Sequence, residues 1–144
     1  MKTRNNKNII RNISSGECFD RLSKENNAQL IDVRTKPEWF FVGVPDLSSI
    51  NKTVVFVSWQ VYPEMETNKF FENQILESNI KKNDNLYFIC RSGQRSYSAA
   101  ELLFSQGFFN CYNVSDGFEG NNNQSHHRSL ISGWKYNNLP WKQQ

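Results

Sequence analysis

The stretch LYFICRSGQRS, Leu86 to Ser96, joins an apolar run to a cysteine and then to a small basic loop. Cys90 is the sulfur. Arg91, Ser92, Gly93, Gln94, Arg95 and Ser96 follow it directly. Small residues after a buried strand let the chain turn tightly, and such a turn can aim successive backbone N–H groups inward at an anion. A helix starting near Arg95 or Ser96 would add unpaired N–H groups and a partial positive charge. The two arginines bring full charges. All of these favour a thiolate over a thiol, and the same groups would receive an anionic substrate. The loop therefore points to covalent chemistry at Cys90, with residues 91–96 binding the substrate.

The other thiols lack this setting. Cys18 and Cys111 have no charged, glycine-containing loop beside them, so they are expected to be small core residues. Three cysteines at wide spacing form no disulfide framework and include no CxxC pair. Free thiols suit a reducing compartment. The first residues, MKTRNNKNIIRNIS, lack the apolar stretch of a signal peptide. No segment has the length of a membrane span. The expectation is a cytoplasmic protein. His126 and His127 are adjacent and have no cysteine or carboxylate at ligand spacing, so neither a metal nor another cofactor is expected.

The elements that must position Cys90 can be traced along the chain. Ser14 and Glu17 have capping-box spacing, which predicts a short helix carrying Phe19 and Leu22. Ala28 to Arg34 reads as a buried strand. Thr35 and Glu38 repeat the capping-box spacing, and Pro37 suits a first helical turn, so a second helix should carry Trp39 and Phe40. Gly43, Pro45 and Asp46 end it. Thr53 to Ser58 is β-branched and strand-like. Phe70, Phe71, Ile75 and Leu76 recur at helical spacing between Thr67 and Ser78. Leu86 to Ile89 is a third strand. Ser96 to Gln106 is a helix stopped by Gly107, and Asn110 to Val114 is a last short strand. Trp134, Leu139, Pro140 and Trp141 are expected to seal an irregular tail onto the body.

Strands alternating with helices predict an α/β domain with a mainly parallel sheet and helices on both faces. Ligand sites in such sheets lie beyond the carboxyl ends of the strands, where Cys90 sits. A length of 144 residues suits one domain, with a core over about 12–120 and a tail over 121–144. The net charge of +3 is spread out and forms no dense Lys/Arg stripe, so neither nucleic acid nor a membrane is an expected partner.

LIDVRTKPEW (Leu30 to Trp39), CRSGQRSYSAA (Cys90 to Ala100), QGFFNCYNVSDGFEG (Gln106 to Gly120) and GWKYNNLPW (Gly133 to Trp141) together resemble a single-domain, bacterial-type rhodanese-homology domain. LIDVR alone is a modest signal; CRSGQRS followed by an Ala-Ala helix and GFEG is a strong one. The resemblance implies a five-stranded parallel sheet flanked by helices. It also implies a sulfurtransferase in which Cys90 carries sulfur as a persulfide inside the loop Cys90 to Arg95. The partners would be a small anionic donor such as thiosulfate and an acceptor, either cyanide or a thiol, including a protein thiol. Arg91 and Arg95 would serve the substrate or the loop, and Asp32 would be structural. In place of the usual HIPGA-type sequence stands VGVPDLSSINKTVVFVSW, similar to a GxPDL variant of some bacterial members, and Asn121 to Asn123 stand where relatives often carry an acidic residue.

Two other readings compete. Phosphatases and arsenate reductases of related architecture place five residues between Cys and Arg. Here there are four, too few for a loop around a tetrahedral oxyanion. A non-enzymatic docking module of the same fold is the second alternative; a missing cysteine would mark it, but Cys90 is present.

Overall fold

In the computed structural model, which describes residues 10–143, five parallel strands form the central sheet. Strands β1 (Arg11–Ile13), β2 (Ala28–Asp32), β4 (Val55–Phe56), β7 (Asn85–Ile89) and β8 (Cys111–Val114) lie in the order β1-β8-β7-β2-β4. The central pair is β2 and β7, in register from Ala28 opposite Asn85 to Asp32 opposite Ile89. Four α-helices connect the sheet: α1 (Ser15–Lys24), α2 (Lys36–Phe41), α3 (Phe71–Glu77) and α4 (Gln94–Ser105). This is the expected α/β architecture.

The pleat divides the core into two layers. Ile31, Leu86 and Phe88 join Phe71 and Ile75 of α3 and Ala99, Ala100 and Leu103 of α4 on one face. Leu30, Tyr87 and Ile89 join Cys18 and Leu22 of α1, Phe118 and Trp134 on the other. Helices thus cover both faces, and both central strands are buried except at Gln29 and Asn85, which are half-buried. Continuous apolar runs such as LYFI are what such strands require. No helix among the described residues is long and apolar enough to cross a membrane.

Local differences have local causes. The strand expected over Thr53 to Ser58 narrows to Val55–Phe56, because it pairs with β2 only opposite Ile31 and Asp32. The chain then makes a hairpin of β5 (Gln60–Val61) and β6 (Glu66–Thr67). This claims Thr67 for a strand and delays α3 to Phe71. Asn68 marks the junction: its Oδ1 accepts from Phe70 N at 3.0 Å and its Nδ2 donates to Ser58 O at 3.0 Å. Helix α4 begins at Gln94, slightly earlier than expected, because Gly93 forms the N-cap at φ 106°. The tail is not wholly irregular. β9 (Trp141–Lys142) pairs antiparallel with β3 (Val44–Pro45), and Trp134 is fully buried, with Nε1 donating to Pro140 O at 2.7 Å. Trp141 remains partly exposed, edge-on to Phe118 and beneath the Lys135 ammonium.

Candidate active site

Strand β7 ends at Ile89 and delivers Cys90 to the carboxyl edge of the sheet. The Sγ lies against the start of α4. Gly93 N donates to it at 3.1 Å and Ser96 N at 3.3 Å, and Ser96 Oγ stands 3.2 Å away. Cys90 is only 1 % exposed. Two inward amides at a helix start in a desolvated setting form an anion receptor centred on sulfur.

Gly93 makes this turn possible. Its positive φ is open to glycine at little cost. A Cβ there would lie 2.5 Å from Ser115 O, a backbone atom that cannot swing aside. The loop is also stitched from outside. Phe118 N donates to Cys90 O at 2.8 Å, and Glu119 N and Gly120 N donate to Arg91 O at 3.0 and 3.1 Å. The DGFEG segment therefore holds the loop's backbone in place.

Asn113 on β8 organises the interior of the loop. Its Nδ2 donates to Gly93 O at 3.1 Å and to Asn12 Oδ1 at 2.9 Å, which leaves Oδ1 as the acceptor. Ser96 Oγ donates to that oxygen at 2.6 Å. A hydroxyl has one proton, so Ser96 Oγ can donate either to Asn113 Oδ1 or, turned about its C–O bond, to the sulfur.

Arg95 turns away from the sulfur and locks onto α2. Its Nη1 and Nη2 meet Glu38 Oε1 and Oε2 at 2.8 and 2.9 Å. Thr35 N and Oγ1 donate to the same carboxylate at 3.1 and 2.9 Å. Burial alone would push the Glu38 carboxyl up; the bidentate Arg95 and the Thr35 donors outweigh it and hold it at about 2. Arg95 shifts the other way, upward: burial opposes its charge, but Glu38 more than compensates. The Glu38 pair ties Arg95, and with it the start of α4, to α2. Arg91 and Gln94 are exposed, Ser92 is half-buried, and Arg91 has no ion-pair partner among the described residues.

Asp32 is fully buried and chelates Arg34, with Nη2 to Oδ2 at 2.6 Å and Nε to Oδ1 at 2.9 Å. Arg34 also donates to Gly43 O at 2.8 Å, and its guanidinium lies 4.3 Å from the Phe118 ring centroid. This ion pair ties β2 to the chain after α2, a structural role. Cys18 and Cys111 are core thiols. Burial first, then nearby Asp116, pushes Cys18 well up, and burial pushes Cys111 to about 12. His126 and His127 lie in a turn whose Asn123 Oδ1 accepts from Ser125 N and His127 N, both at 2.9 Å. No group of three His, Cys, Asp or Glu suited to a metal occurs among the described residues.

Sequence reasoning singled out Cys90 and its loop but not Asn113 or Glu38, which the structure brings against Ser96 and Arg95. The Thr35/Glu38 spacing marked a helix cap and carried no sign that the carboxylate also serves Arg95. Asn113 sat in a strand of unremarkable composition.

The comparisons agree with this fold. A family model described as the STR4 middle domain matches residues 11–144. An uncharacterized protein of Rickettsia conorii is 46 % identical over 134 residues, covering 92 % of this chain and 98 % of that protein. Rhodanese-like domain-containing protein 4, chloroplastic, of Arabidopsis thaliana is 28 % identical over 128 residues, which are 89 % of this chain and 25 % of that protein. The crystal structure of Rv0390 from M. tuberculosis superposes with TM-score 0.84 at 41 % identity, covering 92 % of this chain and 97 % of the other. The solution structure of a polysulfide-sulfur transferase homodimer from Wolinella succinogenes has TM-score 0.66 at 18 % identity, covering 98 % and 84 %, and shares the fold. The chain belongs to the STR4 middle-domain family of rhodanese-like domains.

Proposed function

We propose that the protein is a sulfurtransferase that carries sulfane sulfur on Cys90. The observation that supports this reading is the receptor around Sγ, in which the Gly93 and Ser96 amides and the Ser96 hydroxyl converge within 3.3 Å. In the first half-reaction the Cys90 thiolate attacks the outer sulfur of a donor such as thiosulfate. The S–S bond of the donor breaks, and sulfite leaves with the electron pair. Cys90 keeps the sulfur as a persulfide, whose negative charge the loop amides stabilise. In the second half-reaction cyanide or a thiolate attacks the outer sulfur. The Cys90–S bond breaks, the thiolate returns, and the product is thiocyanate or an acceptor persulfide. The kinetics are ping-pong. Arg91 draws the anionic donor in, while Arg95 keeps the loop on α2.

Intact-mass measurement after thiosulfate treatment tests the reading. The wild type should gain one sulfur atom and release one sulfite; Cys90→Ser should do neither. Equal sulfite release from both proteins would remove Cys90 from the reaction. The low exposure of Cys90 favours one alternative, a docking module with a closed site. That alternative predicts no gain in mass for the wild type.

A further inference from the structure

Strand β8 carries an amide at a buried position. Cys111 and Asn113 are two residues apart, so they project from the same face of the sheet. Cys111 belongs to the layer that α4 covers. An apolar side chain would suit the position beside it. Asn113 stands there instead, only 3 % exposed, although asparagine is uncommon inside strands. A buried amide costs free energy unless its groups are paired.

Both ends of that amide are committed. Nδ2 has two protons, and each finds an acceptor: Gly93 O at 3.1 Å and Asn12 Oδ1 at 2.9 Å. Gly93 O is a carbonyl and can only accept, so turning the amide end for end would face oxygen with oxygen. Oδ1 is thereby aimed at the Ser96 hydroxyl, 2.6 Å away. Gly93 and Ser96 are the residues whose amides reach the Cys90 sulfur, at 3.1 and 3.3 Å, and the Ser96 hydroxyl lies 3.2 Å from it. One side chain therefore bonds both residues of the receptor. Ser96 is fully buried, so bulk solvent does not take the place of Asn113 as its partner.

The bonds continue to the rim of the sheet. Asn12 and Asn113 are opposite each other in the β1–β8 pairing. β1 is an edge strand, and Asn12 is exposed. A surface residue thus fixes the orientation of a buried amide, and the amide holds the receptor.

Resting on the sulfurtransferase reading, we propose that Asn113, aligned by Asn12, is a positioning residue for sulfur transfer: it holds the Gly93 turn and the Ser96 hydroxyl against the Cys90 sulfur while the thiolate attacks the donor. It acts through those two residues and touches neither donor nor acceptor. Its loss misplaces hydrogen-bonding groups at the reacting atom but leaves Arg91, on the exposed side of the loop, as it was. The consequence is slower chemistry at undiminished donor affinity.

Single-turnover sulfite release across a range of thiosulfate concentrations separates rate from affinity. Asn113→Leu keeps the bulk of the side chain and removes its bonds. At saturating thiosulfate it should load Cys90 about tenfold more slowly, with half-saturation within about twofold of wild type. A core substitution can disturb folding, so a second pair of variants is made at exposed Asn12. Asn12→Leu removes the acceptor that aligns Asn113 and should slow loading about threefold. Asn12→Asp supplies an acceptor again and should restore the rate. A wild-type loading rate in either leucine variant overturns the proposal, and so does an Asn12→Asp protein as slow as Asn12→Leu. Weakened half-saturation at an unchanged limiting rate overturns it in favour of a role in donor binding. If wild-type Cys90 takes no sulfur from thiosulfate, the sulfurtransferase reading fails. Alkylation of Cys90 by iodoacetamide, followed by peptide mass, then decides the positioning role by the same order of rates.

Discussion

Glu38→Gln removes one charge from the clamp between α2 and the Cys90 loop and barely changes its shape. In the wild type this carboxylate accepts two bonds from Arg95 and two from Thr35. Its acidity follows: the carboxyl sits at about 2, while an ordinary glutamate titrates near ~4.3. That gap corresponds to roughly 3 kcal/mol of stability at neutral pH. The paired side chains are 18 and 19 % exposed; solvent reaching them lowers the figure to about 2 kcal/mol. A depressed carboxyl stabilises the fold above its unfolded value, and the contribution is lost as pH falls from ~4.3 toward ~2. Urea unfolding of wild type and Glu38→Gln, followed by tryptophan fluorescence, measures it. The variant should be less stable by about 2 kcal/mol near pH ~7, and the difference should halve by pH ~3. A difference under ~0.5 kcal/mol near neutrality, or one that does not change with pH, would show that the clamp contributes no charge-dependent stability.

Other perturbations probe separate parts of the fold. Arg34→Met leaves the Asp32 carboxylate buried without its partner and should cost about 3–5 kcal/mol in urea unfolding; a loss below ~1 kcal/mol would mean the pair is dispensable. Trp134→Phe keeps most of the packing but loses the bond to Pro140 O, for a cost of about 1 kcal/mol, whereas Trp134→Ala should cost about 3–5 kcal/mol. Thermal melts should rank the two in that order; the reverse order would place Trp134 outside the core. Cys18 and Cys111, both raised by burial, should resist iodoacetamide at pH ~8 until the protein is unfolded. Peptide mass mapping would reveal early labelling, which would contradict their burial.

Much of this architecture is written locally. LIDV and LYFI are apolar runs of strand length, and only a sheet covered on both faces can bury them. Ser14 and Thr35 announce two helix starts by bonds that span three residues, Glu17 N donating to Ser14 Oγ and Thr35 N donating to Glu38 Oε1. Cys90, Gly93 and Ser96 likewise lie within seven consecutive residues, so the sulfur receptor could be inferred from their order. What a local pattern does not encode is pairing across the chain. Strand β1 is three residues long and exists because Arg11, Asn12 and Ile13 find Tyr112, Asn113 and Val114 on β8. β9 forms only because Val44–Pro45 offers it an edge. Asn113 could not be recognised as the holder of Ser96 and Gly93, nor Glu38 as the partner of Arg95, 57 positions away, until the sheet brought them together. Short-range order and residue chemistry thus determine the central strands, two helix starts and the make-up of the Cys90 loop. Long-range contacts, whose free energy appears only once the whole core closes, decide how the loop is braced.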